Sequence, residues 1–328
     1  MRLLIFEGAY KRVGEAMAPF AGQLELMLID REGKITCGGE TFTTDTAQPE
    51  AAWASGDMYS SRAQRDLMIA LLKSSALRWV HSGAAGFDHP VFGQMVQRGV
   101  RLTTSHGQAI SIAEFVLAEV LGRLQRLTER RREQAEGRWT RLPFREVMGS
   151  QWLVIGFGAI GQAVAERARG FGAKVTGVRR NQDPHPLADR IVPLEAAAGL
   201  AGEADVVVLS APLNAATRHV VDAAFLAAMK PGSVLVNVGR GGLIDEPALI
   251  AALDKGTPEH AVLDVFETEP LPAESPLWRH PRVSLNPHAS AFGSGTTSRN
   301  DAVFVENLRR YLAGEALISE IEAKDVVG

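Results

Sequence analysis

The chain has 328 residues and a formal net charge of -3, from 35 Lys and Arg against 38 Asp and Glu. That length suggests about two domains at roughly 100–200 residues each, and 46% hydrophobic with 22% charged residues argues for packed cores rather than disorder. The charge balance gives no global field toward nucleic acid or membrane, while the single cysteine, Cys37, excludes a disulfide framework or a multi-cysteine metal site and suits a reducing compartment.

Leu3–Phe6 is an apolar run too short for a signal-peptide core and reads as a first buried strand. No segment approaches the roughly 18–20 apolar residues of a membrane span, so a cytoplasmic protein is expected. Further strands are predicted at Leu24–Ile29, Ala51–Ala54 and Leu77–His81, with helices at Gly14–Ala21 and Arg62–Lys73. Alternation of this kind builds parallel sheets from βαβ units. A long amphipathic helix follows, with Ile112, Phe115, Val116, Val120, Leu124 and Leu127 at helical spacing. Arginines crowd its tail from Arg123 to Arg132. Glu129, Glu133 and Glu136 interleave with them, which favours a solvated face or subunit interface over an anion site.

A second α/β series starts at Gln151. Strands are expected at Trp152–Ile155, Lys174–Val178, Val206–Ser210, Val234–Val238, Ala261–Val265 and Val283–Asn286, and a last helix at Asn300–Ala313. The first of these strands runs into Gly156-Phe157-Gly158-Ala159-Ile160-Gly161, and a helical pattern follows. This is G-x-G-x-x-G in the strand–turn–helix setting of a dinucleotide site. Gly156 serves the tight turn, Gly158 the approach of a pyrophosphate, and Gly161 the packing of helix on strand. The helix N-terminus then offers free N–H groups to the phosphates. An NAD site usually carries an acid at the end of the next strand, about 20 residues on. Here that strand ends in Arg179-Arg180, and no acid occurs before Asp183. Two guanidiniums suit a 2′-phosphate, so NADP(H) is the expected cofactor and NAD(H) the alternative.

Three later segments carry chemistry: Asn237-Val238-Gly239-Arg240-Gly241-Gly242, Leu263-Asp264-Val265-Phe266-Glu267-Thr268-Glu269-Pro270, and Asn286-Pro287-His288-Ala289-Ser290. Arg240 offers a donor fork for the carboxylate of a 2-keto acid and can polarise its carbonyl. His288 can protonate the developing alkoxide. Glu269 can hydrogen-bond the imidazole, orient it and favour its protonated form.

With the glycine turn, with Ala211-Pro212-Leu213-Asn214 and Thr217, and with Pro276-Leu277-Trp278, these segments resemble the D-2-hydroxyacid dehydrogenase family, glyoxylate and hydroxypyruvate reductases included. The resemblance runs from about Thr104 to Ser290 and is looser before it. It implies catalysis by Arg240, Glu269 and His288. It implies a cofactor held by Gly156, Gly158, Ala159, Ile160, Gly161, Ala211, Pro212, Thr217, Val238 and Gly239, with Arg179 and Arg180 at the ribose. Asp264 matches a position on the nicotinamide side that tunes the histidine indirectly. His81-Ser82-Gly83-Ala84-Ala85-Gly86-Phe87-Asp88 resembles the loop whose backbone N–H groups hold the substrate carboxylate, and Ala85 and Gly86 are the residues chosen there. Asp57-Met58-Tyr59 is a further pocket candidate, and His106 and Gln108 are hinge candidates.

The expected fold is α/β, with two doubly wound parallel-sheet domains and a cleft between them. Residues 1–103 and 290–328 form the substrate domain, and 104–289 the dinucleotide domain. The expected partners are a small keto or hydroxy acid and a second copy of the chain through the helix Ile112–Arg132, with no metal, nucleic acid or membrane. Two other readings compete: a dehydrogenase of another small anion, and a dinucleotide-sensing regulatory protein on the same fold.

Overall fold

Short apolar runs separated by helices fold here into two seven-stranded sheets. The computed structural model describes residues 1–58, 61–87 and 90–322. Tyr59 and Asp88, both named above, lie outside these. The chain divides into two units, one holding Met1–Gln108 and the stretch from Ser294 onward, the other Ala109–Gly293. The sequence put these divisions at 103/104 and 289/290.

In the first unit the strands are β1 (Arg2–Phe6), β2 (Glu25–Ile29), β3 (Ile35–Cys37), β4 (Glu40–Phe42), β5 (Ala51–Ala54), β6 (Trp79–Ser82) and β7 (Arg101–Thr104). Their order is β4-β3-β2-β1-β5-β6-β7, parallel except for the β3–β4 ribbon on one edge. The first helix spans Glu7–Met17, seven residues ahead of the predicted start at Gly14. Pro19 has no N–H to continue an α-helix, and Ala18–Gln23 tightens into a 3-10 turn. The C-terminal helix, Thr296–Ala313, returns to this unit. Phe304 stacks on Trp53 at 4.0 Å between ring centroids, and Tyr311 on Trp79 at 4.8 Å.

The second unit holds β8 (Gln151–Ile155), β9 (Lys174–Val178), β10 (Arg190–Val192), β11 (Val206–Leu209), β12 (Val234–Asn237), β13 (His260–Leu263) and β14 (Val283–Leu285). Every pair is parallel, in the order β10-β9-β8-β11-β12-β13-β14. Helices cover both faces, so β11, β12 and β13 are buried throughout and read as continuous apolar runs. Alternate residues serve opposite cores. Leu153, Val207, Leu235 and Leu263 join one, while Val154, Val208, Val236 and Val262 join the other.

The predicted long helix is two. Ala109–Leu124 ends before Arg126, which adopts left-handed backbone at φ 56°, and Leu127–Ala135 follows. Ile112, Val116, Val120 and Leu124 are buried in the second core beside Val164 and Ala168 of the helix Ala159–Gly170. Those four side chains face the core of this unit.

Candidate active site

The order of the second sheet reverses between β8 and β11, the switch point where ligands bind beyond the carboxyl ends of open α/β sheets. The glycine turn lies there. Gly156 has φ 96°, and a Cβ on it would stand 2.3 Å from the backbone nitrogen of Ala211, beyond β11. A Cβ on Gly161 would stand 2.3 Å from the carbonyl oxygen of Gly156. Both glycines are thus required by close approach. A Cβ on Gly158 would meet nothing within 4 Å. Gly158 caps the helix Ala159–Gly170 without a side chain, so no acceptor of its own covers the first N–H groups. An open, uncapped helix start at the switch point fits a dinucleotide pyrophosphate.

β9 delivers Arg179 directly beside this turn. The Val178 carbonyl accepts the N–H groups of Gly156 and Phe157 at 3.1 and 3.0 Å, and Arg179 N–H bonds to Val192. The Arg179 guanidinium donates to the Asp183 carbonyl at 2.7 Å, while its Nε is buried without a partner. Arg180 is exposed. No carboxylate stands at the strand end. The hydroxyl of Thr217, a residue expected at the cofactor, is engaged by its own loop. It donates to the Pro212 carbonyl at 2.7 Å and accepts Asn214 N–H at 2.9 Å.

Arg240 follows β12. Asn237, fully buried, clamps the turn: its side-chain nitrogen donates to the Arg240 carbonyl at 2.9 Å, and its oxygen accepts Gly239 N–H at 3.1 Å. The Arg240 guanidinium donates to the Gly239 carbonyl at 2.8 Å. Sequence reasoning missed Asn237, although an amide at the end of an apolar strand and just ahead of a glycine was the available signal.

The next two strand ends carry the remaining groups. Asp264 N–H bonds to the Asn237 carbonyl at 3.0 Å, and Asn286 N–H to Leu263 at 2.9 Å, so the ladder continues past β13 and β14. His288 Nδ1 lies 2.7 Å from Glu269 Oε2, and Glu269 Oε1 accepts Phe266 N–H at 3.0 Å. Glu269 and His288 are therefore brought together as expected. Asp264 is buried, and its carboxylate is bonded to Asn286, Ala289 and Ser290, on either side of His288. A second pair lies nearby, with His219 Nε2 2.7 Å from Glu267 Oε1. Burial pushes the neighbouring Glu246 carboxyl above its ordinary range, and the charges of Glu267 and Glu269 push the same way.

Ala85 and Gly86 belong to the first unit, in the half-buried loop after β6. The loop is tight: Gly83 N–H bonds to the Ala54 carbonyl at 2.8 Å. Gln108 is buried and His106 exposed, next to the division at 108/109. Among the described residues no group of three or more His, Cys, Asp or Glu is arranged to hold a metal, and no helix is long and apolar enough to cross a membrane.

This is the architecture of a dinucleotide-dependent dehydrogenase. The family model "D-isomer specific 2-hydroxyacid dehydrogenase, NAD binding domain" matches residues 117–290. A glyoxylate reductase of Korarchaeum cryptofilum is 35% identical over 249 residues, 73% of this chain and 74% of that protein. A D-isomer specific 2-hydroxyacid dehydrogenase family protein from Aeromonas salmonicida superposes with a TM-score of 0.79 at 29% identity, covering 98% of this chain and 99% of its own. One from Xanthobacter autotrophicus, crystallised with NADPH and MES, gives 0.78 at 27% identity, with 98% of each chain covered. The chain belongs to the D-isomer specific 2-hydroxyacid dehydrogenase family. It is an oxidoreductase that passes a hydride between a nicotinamide dinucleotide and a small 2-keto or D-2-hydroxy acid.

Proposed function

We propose that the chain reduces glyoxylate- or hydroxypyruvate-like 2-keto acids, with Arg240, Glu269 and His288 as its catalytic residues. The glycine turn, with Ala211, Pro212, Val238 and Gly239 beside it, would hold the dinucleotide, whose reduced nicotinamide would supply the hydride. Arg240 pairs with the substrate carboxylate through its planar fork and draws charge onto the carbonyl oxygen. His288 delivers the proton to that oxygen from Nε2, because Glu269 engages Nδ1 and fixes the tautomer. Backbone N–H groups at Ala85 and Gly86 are proposed as further donors to the substrate carboxylate. The observation that carries this reading is the 2.7 Å His288–Glu269 contact, which joins the turn after β14 to the loop after β13, the strand beside the one that leads to Arg240. Initial rates with glyoxylate and hydroxypyruvate, each with NADPH and NADH, test it. Turnover of neither acid would overturn it.

Cofactor choice is proposed to favour NADP(H). Arg179 stands where an NAD enzyme keeps an acid, and Arg180 adds a second charge. A charge-assisted contact to a partly exposed 2′-phosphate discriminates by about 1–3 kcal/mol, roughly ten- to a hundredfold. The double variant Arg179→Asp, Arg180→Ala should reverse the kcat/KM ratio of NADPH to NADH. Equal efficiencies in the wild type would refute the assignment.

A second copy is proposed as partner, docking on the segment 136–150. Trp139 is 96% exposed, and Phe144 and Met148 are exposed beside it. Phe144 and Met148 line a groove of about 1100 Å³ together with Leu124, Pro143, Arg130, Arg141 and Asp205. A protruding ring and a groove of mixed apolar and charged lining on one segment suit an isologous contact, in which each copy supplies both. Light scattering should find a dimer that Trp139→Ser weakens; a monomeric wild type would exclude it. The cytoplasm is the proposed compartment, on the strength of the free Cys37.

A further inference from the structure

The main chain of His288 is held in an uncommon state. Its φ is 51°, the left-handed region that a histidine seldom occupies without support. The support is local. His288 N–H is shared between the carbonyls of Asp264 at 2.8 Å and Asn286 at 2.9 Å. On either side of it the turn is tied to one carboxylate. Asp264 Oδ1 accepts Asn286 Nδ2 at 2.5 Å, Ala289 N–H at 2.9 Å and Ser290 N–H at 3.1 Å. Asp264 Oδ2 accepts the Ser290 hydroxyl. Asp264 and Ser290 are both buried, so these bonds are shielded from competing water.

We infer that Ser290 is a positioning residue for the reaction, acting through Asp264 to fix the backbone that aims the His288 imidazole. The inference rests on the reading of His288 as proton donor. Among the described residues the Ser290 hydroxyl is the partner of Oδ2, and it closes the ring that the Ser290 N–H begins. Without the hydroxyl, one carboxylate oxygen stays buried and unsatisfied. The carboxylate then swings to find a donor, and the turn it anchors follows. A displacement of His288 on the scale of an ångström costs turnover rather than dinucleotide affinity.

The test is a double-mutant cycle in the full-length protein, with NADPH and glyoxylate or hydroxypyruvate. Ser290→Ala should lower kcat by about 10- to 100-fold, the scale of losses seen when groups that orient a reactive side chain are removed. The KM for NADPH should stay within about twofold. In the His288→Ala background the same substitution should lower the residual rate by less than about threefold, because a residue that acts through His288 has nothing left to position. Ser290→Cys keeps the size and weakens the donor, and the same cycle read on it decides the matter if the alanine protein does not fold. Equal losses in both backgrounds, or no loss in either, would overturn the inference while leaving the proposed function standing. A wild type that reduces no keto acid would overturn both.

Discussion

Two histidine–glutamate pairs draw their glutamates, two residues apart, from one loop, and by local geometry alone they are twins. Each nitrogen-to-oxygen distance is 2.7 Å, each histidine has φ 51°, and all four side chains are about half to two-thirds buried. Their surroundings differ. His288 follows β14, and its turn is roped to Asp264 at the end of the neighbouring strand. His219 lies in the loop after β11, where its N–H bonds to the Gly242 carbonyl, and its partner Glu267 donates its own N–H to the Glu246 carboxylate at 2.6 Å. The first pair is anchored by the sheet at the dinucleotide end. The second joins two loops to each other. A short imidazole–carboxylate distance is thus no signature of catalysis; what the pair hangs from makes the difference.

The largest expected contrast is between the two histidines. His288→Ala should lower kcat by roughly 10²–10⁴, the range for loss of a general acid, with KM for NADPH little changed. His219→Ala should cost less than about threefold in kcat and show its effect in thermal stability. Steady-state kinetics on both variants would break the comparison if the two losses matched. Smaller effects are expected at the partners. Glu269→Gln keeps a hydrogen-bond acceptor and removes the charge that steadies the imidazolium, so a loss of about tenfold in kcat is expected, against little change for Glu267→Gln. Smallest is the pH effect of Glu246. Its folded carboxyl titrates above the unfolded value because of burial first and of Glu267 and Glu269 second. The group therefore supports the fold fully below its unfolded pKa, and that support is lost as pH rises through the folded pKa. Glu246→Gln should raise the Tm by about a degree or two at pH 7 relative to wild type, with the gain shrinking toward pH 4. A gain that grew toward acid would reverse the assigned direction.

Much of the second unit was legible because its strands are buried on both faces. Trp152–Ile155, Val206–Leu209 and Val234–Asn237 carry no polar residue to break the apolar run until the strand end. The glycine turn and the Arg240, Glu269 and His288 segments stood out by order and spacing. Less was legible in the first unit. β3 and β4 are three residues each and carry only a partial apolar face, so no period emerges. Gly8 and Gly14 lie within the first helix and disguised its start, because glycine disfavours helix in isolation while packing decides here. The break at Arg126 has no glycine or proline to announce it. The bonds that engage Asp264 reach partners 22 to 26 residues away, beyond the reach of any local pattern. Thr217 shows the converse: its motif was visible, yet its hydroxyl is occupied within five residues.

The stacking of Phe304 on Trp53 and of Tyr311 on Trp79 has a consequence for biosynthesis. Translation produces β1 through β7 first, but the aromatic layer that closes this sheet is encoded almost two hundred residues later. A nascent chain therefore emerges with Trp53 and Trp79 uncovered while the whole of Ala109–Gly293 is still being made. The inserted unit has every strand of its own sheet in one uninterrupted stretch and is free to fold vectorially as it leaves the ribosome. The first-made segment, Met1–Gln108, then completes its packing last. Ribosome-stalled chains released at residue 293 should show a protease-resistant core that starts near Ala109, with the preceding segment digested.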